Sequence, residues 1–351
     1  MNYYEYGSGG GPDIGNDRYP PEKPFSRKLR ELTENENSRA LILLGTLTGM
    51  GIILHFVMSY LFVHVISAFP EVYSLYIGDK AVGYIFDAIY SFSCVALPFI
   101  PVYIAEKKTG LFKGTLPLSL HADSSSPLLL ILSGLGICYA GNILSSMIMQ
   151  SLMSAGVGSY AYDQAIAEQT EIPSDVFMLV LTLIRTAIIP AFIEEFVFRG
   201  VIMQPLRKYG DWFAIITSAV VFGALHGNIL QIPFAVIAGI ALGYVSVVTG
   251  TMWTGIALHL MNNLLSVVYS MLLASFSGSA VTAVSFVMTY GVIAVGVIAF
   301  LIYVMKHRDF ARLYPCEYRG MRFKGAYYFL APTMVAGLAA VVGEIVKDIH
   351  H

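Results

Sequence analysis

The stretch AIIPAFIEEFVFRG, residues 187–200, places two adjacent glutamates and an arginine inside an otherwise apolar run. The surrounding run, about 175–206, is long enough for a helix that crosses a hydrocarbon core of ~30 Å. Ionised side chains are costly at that depth, so intramembrane acids are candidates for function. The sequence therefore predicts a spanning helix that carries a polar site at Glu194, Glu195 and Arg199.

The rest of the chain also has the composition of a membrane protein. Of its 351 residues, 56% are hydrophobic and only 13% are charged, whereas about 25% are charged in typical soluble domains. These values predict an all-α fold, a polytopic transmembrane helical bundle with eight spans and a candidate ninth at 326–346. The eight predicted spans are 40–68, 81–105, 127–153, 175–206, 213–227, 229–249, 253–276 and 281–305.

The bundle separates the chain into three parts. Residues 1–39 are polar and rich in Gly, Pro, Asn and Glu, which favours a disordered tail. Residues 40–305 form the transmembrane domain, and residues 306–351 form a C-terminal segment with the candidate ninth helix. The formal net charge of -2 gives no electrostatic footprint for nucleic acid.

The basic residues predict the orientation of the bundle. They cluster in alternate loops, while loops 70–80 and 154–174 are nearly free of them. Because cytoplasmic loops carry the excess of Lys and Arg, this alternation places the N-terminus in the cytoplasm. The clustered residues are Arg18, Lys23, Arg27, Lys28, Arg30, Arg39, Lys107, Lys108, Lys113, Arg207, Lys208, Lys306, Arg308 and Arg312.

Polar residues within the spans are arranged at helical spacing. Residues four apart share a helix face, so Glu195 and Arg199 are expected to form an ion pair. Glu194 points ~100° away from its neighbour and remains the freer carboxylate. The stretch FGALH contains Phe222 and His226, and HLMNN contains His259 and Asn263, each pair four residues apart.

The depths of these residues are predicted to coincide. Helices 175–206 and 213–227 are joined by a short turn and must run antiparallel. Glu194 and His226 each lie 16 residues from position 210, or ~24 Å at ~1.5 Å per residue. His259 is expected at a similar depth, nearer the cytoplasmic side. Asp87 and Arg185 lie nearer the outer side, where we expect a structural ion pair.

This combination of groups fits the hydrolysis of an amide bond. A carboxylate and a histidine that hold one water can activate it by general-base catalysis. A second histidine and an asparagine can stabilise the developing oxyanion. No HExxH zinc-protease motif occurs. Two other classes remain open: a proton-coupled transporter that uses the cluster as a relay, and a non-catalytic membrane immunity or scaffold protein.

Three motifs together resemble the CAAX prenyl protease and bacteriocin-processing family of intramembrane endopeptidases. EEFVFR resembles its EExxxR motif, FGALH its FxxxH motif and HLMNN its HxxxN motif, within a core of about 175–276. The resemblance implies an endopeptidase of a membrane-associated protein or peptide that is CAAX-like, lipidated or of bacteriocin type. We expect the protein in a bacterial cell membrane.

The resemblance also implies a role for each residue. It implies that Glu194 and His226 activate water, and that His259 and Asn263 stabilise the oxyanion. It implies a supporting role for Glu195, Arg199 and Phe222, with Phe222 lining the pocket.

Metal dependence stays open at this point. His226, His259 and Glu194 form a conceivable zinc ligand set of two histidines and one carboxylate. Asn263 is a poor zinc ligand and is better used as a hydrogen-bond donor. We therefore favour a mechanism without a cofactor, with zinc as the alternative.

Overall fold

The chain folds into helices throughout its described part. The computed structural model describes residues 24–120, 122, 126–154, 175–229, 231–307, 313–315 and 323–350, with only the backbone for 24–33 and 348–350. The described residues contain no strand. The helices are α1 Pro24–Ser67, α2 Pro70–Gly78, α3 Lys80–Lys108, α4 Pro127–Ser154, α5 Val176–Tyr209, α6 Asp211–Leu225, α7 Ile232–Thr249, α8 Met252–Ser275, α9 Ser279–Lys306, α10 Lys324–Phe329 and α11 Pro332–His350.

Helix length confirms the predicted class, an all-α polytopic helical bundle. Within the described residues, seven helices are long and apolar enough to cross a membrane: α1 from Glu34 onward, α3, α4, α5, α7, α8 and α9. The predicted span 213–227 is a shorter apolar helix, α6, of 15 residues. It measures ~22 Å at ~1.5 Å per residue, which is less than a ~30 Å core.

Two boundaries differ from those expected from the sequence. Helix α1 begins at Pro24, so residues 24–39 are helical rather than part of the tail. This segment, PFSRKLRELTENENSR, is polar but rich in Lys, Arg, Leu and Glu, which are good helix formers. The run 326–346 divides into α10 and α11 because Pro332 lacks an N–H group and restricts the residue before it. A ninth span stays a prediction.

Glycines allow the helices of the bundle to pack closely. A Cβ added to Gly49 would collide with the backbone of Met334 in α11. Gly136 of α4 and Gly296 of α9 face each other, and a Cβ on Gly136 would lie 2.8 Å from the Gly296 Cα. In a bilayer the hydrophobic effect does not drive helices together, so small residues contribute by allowing close van der Waals packing.

The ends of α5, α7 and α8 that lie near the basic loops are covered by other segments. Residues 116–119 lie across the α7–α8 turn, where Met252 N donates to Pro117 O at 2.8 Å and Trp253 Nε1 donates to Leu118 O at 3.1 Å. At the α5–α6 turn, Lys324 Nζ donates to Tyr209 O at 2.7 Å. Hydrogen-bonded segments of the chain therefore lie over the α7–α8 and α5–α6 turns at this end of the bundle.

The predicted ion pair between α3 and α5 is confirmed. Arg185 Nε lies 2.6 Å from Asp87 Oδ2, and the guanidinium also stacks on Tyr84 at 4.8 Å. Both charged side chains are partly exposed. Removal of either one would leave the other as an unpaired charge in the membrane, which is costly.

We expect the charge exchange Asp87→Arg with Arg185→Asp to restore the folded yield that either single change lowers. The exchange preserves one charge of each sign at the α3–α5 contact, whereas each single change leaves two like charges together. The measurement is the fraction of monodisperse protein extracted from membranes. If neither single variant lowers the folded yield, or if the exchange fails to restore a yield that the single variants lower, the pair has no structural role.

Candidate active site

The two glutamates lie where α5 changes its winding. Glu194 ends an α-helical stretch, and Glu195–Ile202 is π-helical. A second π-helical turn precedes them at Ile184–Ile188. Such turns are rare and occur frequently at functional sites. They alter which residues of α5 share a face, so ideal α-helical spacing does not fix the direction of each side chain.

Glu195 and Arg199 form the pair expected from their spacing. Arg199 Nη1 lies 3.1 Å from Glu195 Oε1, and both side chains have no exposed surface. Arg199 Nη2 also donates to Gly239 O of α7 at 3.2 Å. The contact at Nη1 is a charge–charge contact rather than an aligned hydrogen bond, since Nη1 has no hydrogen-bond partner. Each charge therefore lowers the cost of burying the other.

Phe222 of α6 lies between the arginine and the two histidines. The guanidinium of Arg199 stacks on the Phe222 ring at 4.7 Å, which adds a cation–π attraction. The same ring meets His226 edge-on at 4.7 Å and His259 edge-on at 6.2 Å. Phe222 therefore fixes the spacing between α5, α6 and α8 at the level of the glutamates.

His259 of α8 lies between the two adjacent glutamates. Its Nδ1 is 3.1 Å from Glu195 Oε1, and its Nε2 is 3.7 Å from Glu194 Oε2. Because a carboxylate accepts hydrogen bonds, Nδ1 carries a proton in the first contact. The second distance is too long for a direct hydrogen bond. A single water can bond to both atoms across such a gap.

His226 lies just beyond the end of α6, one residue short of the predicted helix end. Its Nδ1 donates to Phe222 O at 2.8 Å. Since a carbonyl oxygen only accepts, this bond leaves Nε2 of the neutral ring as a hydrogen-bond acceptor. His226 thus contacts Phe222, which in turn contacts Arg199 and His259. The ring nitrogen that faces Glu194 is Nε2 of His259.

Asn263 lies one turn from His259 on α8, as its spacing predicts. Its Nδ2 donates to Thr186 O at 3.0 Å, in the first π-helical turn of α5. Its Oδ1 accepts from the Asn262 side chain at 3.2 Å. One amide hydrogen of Asn263 therefore remains for another oxygen.

Several residues that the motifs do not contain shape this site. Gly255 lies four residues before His259, and a Cβ there would lie 2.9 Å from Glu195 Oε2 and closer still to Ser246 Oγ. Both of these buried oxygens lack a hydrogen-bond partner in the described part of the chain. From the sequence, Gly255 could have been assigned to the site, because it lies four residues before His259 and so on the same helix face. Nothing in the sequence pointed to Thr186 or Ser246.

Gly255→Ala is expected to lower activity by at least about tenfold, because the added methyl group pushes the Glu195 carboxylate away from His259. A displacement of about 1 Å in catalytic geometry can cost on the order of 100-fold in rate. The matched control is Gly291→Ala in α9, where a Cβ would meet open space. The measurement is the rate of peptide cleavage by equal amounts of folded protein. Equal rates for both variants would show that the close approach to Glu195 is unimportant.

The described side chains do not fit a zinc site. Among the described residues, no three His, Cys, Asp or Glu side chains are arranged to hold a metal ion. Glu194 and His259 face each other, while His226, whose Nδ1 donates to a backbone carbonyl, has only its Nε2 available as a ligand. The two histidines and one carboxylate considered from the sequence are not arranged as a set of three ligands among the described residues.

The fold and this group of residues define a class: a polytopic helical membrane protein with a glutamate–histidine centre within its bundle. Residues 176–265 match the family model described as "Type II CAAX prenyl endopeptidase Rce1-like". The match contains all three motifs and confirms, over that segment, the resemblance stated from the sequence. It supports a CAAX-type intramembrane endopeptidase as the general activity. No curated protein and no solved structure matches the chain.

Proposed function

We propose that the protein hydrolyses a peptide bond of a membrane-associated polypeptide, with Glu194 as the general base. The observation that carries this proposal is the 3.7 Å gap between Glu194 Oε2 and His259 Nε2. A water in that gap would be polarised by a carboxylate that is 23% exposed and not committed to Arg199. General-base catalysis needs a water within hydrogen-bond reach of the base.

His226 supplies a second acceptor for the attacking water in this proposal. Its Nδ1 is fixed by Phe222 O, so its Nε2 lone pair is the free end of the ring. Glu194 removes the water proton as the oxygen attacks the scissile carbonyl. It then returns that proton to the leaving amine, which balances the reaction without another reactant.

His259 and Asn263 stabilise the oxyanion. To donate through Nε2, His259 must carry a proton on both nitrogens, because its Nδ1 already donates to the Glu195 carboxylate. The remaining amide hydrogen of Asn263 is the second donor. Preorganised donors of this kind typically contribute about 10²–10³ each in rate. Glu195 thus has a positioning role beyond its pairing with Arg199.

The test is a comparison of peptide termini in membranes of cells that express the wild-type chain or Glu194→Gln at equal levels. The proposal expects termini that occur only with the wild type. A proton-coupled transporter, the second candidate, would give identical termini and solute flux across sealed vesicles. That candidate has the same Glu/His cluster in its favour. A non-catalytic scaffold would show neither difference.

Metal dependence has its own test on the purified full-length chain. The proposal expects proteolysis to survive dialysis against a strong chelator, because no described set of three side chains completes a zinc site. The measurement combines metal analysis with the cleavage rate before and after chelation. Stoichiometric zinc, with activity lost on chelation and restored by zinc alone, would replace the glutamate mechanism with a metal-assisted one.

A further inference from the structure

Pro190 interrupts the backbone hydrogen bonding of α5 one turn before Glu194. Proline has no N–H group, and inside a helix its ring also crowds the carbonyl group four residues earlier. That carbonyl group belongs to Thr186. A proline within a membrane helix is tolerated where other groups satisfy the backbone atoms that it leaves free. Pro190 lies outside the three motifs and has no role in the mechanism proposed above.

The π-helical turn before Pro190 adds to the shortage of backbone donors. Ile189 N donates to Ile184 O, five residues back, and the chain continues as an α-helix from Ile189 to Glu194. A change from five-residue to four-residue bonding skips one carbonyl group. Together with the missing N–H at position 190, this change leaves more carbonyl groups than N–H donors over residues 185–187. This stretch of α5 is therefore open to a donor from another helix.

Asn263 of α8 supplies that donor. Its Nδ2 donates to Thr186 O at 3.0 Å, while its Oδ1 accepts from Asn262 Nδ2 at 3.2 Å. Because a carbonyl oxygen only accepts, the first bond identifies which end of the Asn263 amide is the nitrogen. The amide group is planar, so these two bonds also fix the direction of the second Nδ2 hydrogen. That hydrogen is the oxyanion donor of the mechanism proposed above.

Both oxyanion donors of that mechanism are held by groups of α5. His259 Nδ1 donates to the Glu195 carboxylate at 3.1 Å, and Asn263 Nδ2 donates to the Thr186 carbonyl at 3.0 Å. Pro190 lies between these two acceptors along α5. The break in hydrogen bonding at Pro190 therefore falls within the segment that aligns α5 with α8.

We propose that Pro190 is a positioning residue, whose missing N–H keeps Thr186 O available to Asn263 and so directs the Asn263 amide toward the oxyanion. The proposal rests on the proposed function, in which Asn263 is an oxyanion donor. An N–H group at position 190 would give Thr186 O a donor within its own helix. The Asn263 amide would then lose its fixed partner and rotate about its side-chain bonds.

Pro190→Ala tests the proposal, because it restores the N–H group and removes the ring. Full-length protein in detergent is assayed with a synthetic peptide built on a terminus that only wild-type cells produce. We expect kcat per folded molecule to fall by at least about tenfold, and by no more than the 10²–10³ that loss of one oxyanion donor typically costs. KM should be unchanged, since the donor acts in the transition state.

The thermal midpoint separates this role from a structural one. Alanine suits a helix far better than proline does, so Pro190→Ala should be at least as stable as the wild type. A proline that only bends α5 would therefore give a stable variant with wild-type kcat. The matched control is Pro101→Ala in α3, at an exposed position outside the proposed site, which should cleave at the wild-type rate.

A double variant shows whether Pro190 acts through Asn263. The effects of two residues that act through one group are not additive. In an Asn263→Ala background, Pro190→Ala should therefore lower kcat by less than about twofold further, within the usual error of additivity. A further loss as large as that in the wild-type background would show that Pro190 acts by another route.

An NMR signal reports the state of Asn263 without turnover. The protein is labelled with ¹⁵N-asparagine, and the side-chain signals of Asn263 are identified by their absence from Asn263→Ala. We expect Pro190→Ala to move these signals toward those of a freely rotating asparagine side chain, and Pro101→Ala to leave them in place. Unmoved signals, wild-type kcat or a lower thermal midpoint in Pro190→Ala would each overturn the proposal.

The failure of this proposal is distinguishable from the failure of the proposed function. If Pro190→Ala moves the Asn263 signals but Glu194→Gln retains proteolysis, Pro190 orients Asn263 and the glutamate mechanism fails. If Glu194→Gln is inactive but Pro190→Ala keeps the wild-type signals and rate, the glutamate mechanism stands and Pro190 has no positioning role.

Discussion

Glu194→Gln is expected to lower the rate of proteolysis by about 10²–10⁴, the range that a positioned general base contributes. The amide has nearly the same shape as the carboxylate but cannot accept the proton of the attacking water. Because Glu194 is partly exposed and the ion pair with Arg199 is made by Glu195 instead, folding and membrane insertion should be unchanged. The measurement is the cleavage rate per folded molecule, with insertion checked by membrane extraction.

The matched control is Glu106→Gln, the same change at a residue that the proposed site does not use. Glu106 is fully buried in α3, and neither of its carboxylate oxygens has a hydrogen-bond partner among the described residues. We expect this variant to cleave at the wild-type rate. Wild-type cleavage by well-folded Glu194→Gln would remove Glu194 from the mechanism, and equal losses in both variants would indicate a general effect of the substitution.

Arg199→Met is expected to destabilise the protein by about 3–5 kcal/mol, the typical cost of breaking a buried pair. The change leaves the fully buried Glu195 carboxylate without its arginine partner, with only the His259 ring beside it. It also removes the bond to Gly239 O and the stacking on Phe222. The measurement is the denaturant or thermal midpoint of the detergent-solubilised protein, together with its folded yield.

Two controls separate charge burial from loss of a long side chain. Lys347→Met removes one partner of an exposed pair with Glu344, so we expect a change of only about 0–1 kcal/mol. The double variant Glu195→Gln/Arg199→Met leaves no isolated charge and should recover much of the lost stability. It should remain slow in proteolysis, because Glu195→Gln removes the charged acceptor that holds His259 Nδ1 in position. A destabilisation of Arg199→Met no larger than that of Lys347→Met would contradict this account.

The four-residue spacing of polar residues determined which side chains contact each other along one helix, because helix geometry alone sets contacts one turn apart. The pairing of Glu195 with Arg199 and the position of Asn263 one turn after His259 both follow from four-residue spacing. The Asp87–Arg185 pair was also predictable, since isolated charges in a membrane require partners.

Helix boundaries were less predictable, because composition does not distinguish a spanning helix from a short one. The apolar run of α6 indicated a span, but the helix ends at Leu225, before the chain turns at Gly227 with a φ of 65°. The helical start of α1 within a polar segment was missed for the opposite reason, since low hydropathy is compatible with a helix that extends into water.

The sequence by itself determined the class of fold, the three motif-bearing helices and the pairing along each of them. Tertiary structure decided the contacts between helices. His259 lies between both glutamates, Asn263 donates to Thr186 O, and the absence of a side chain at Gly255 leaves space for Glu195. It also decided which half of the bundle is packed around the site. The physical reason is that helix periodicity fixes neighbours on one helix, whereas contacts between helices depend on π-helical turns, close glycine packing and covering segments that no local pattern encodes.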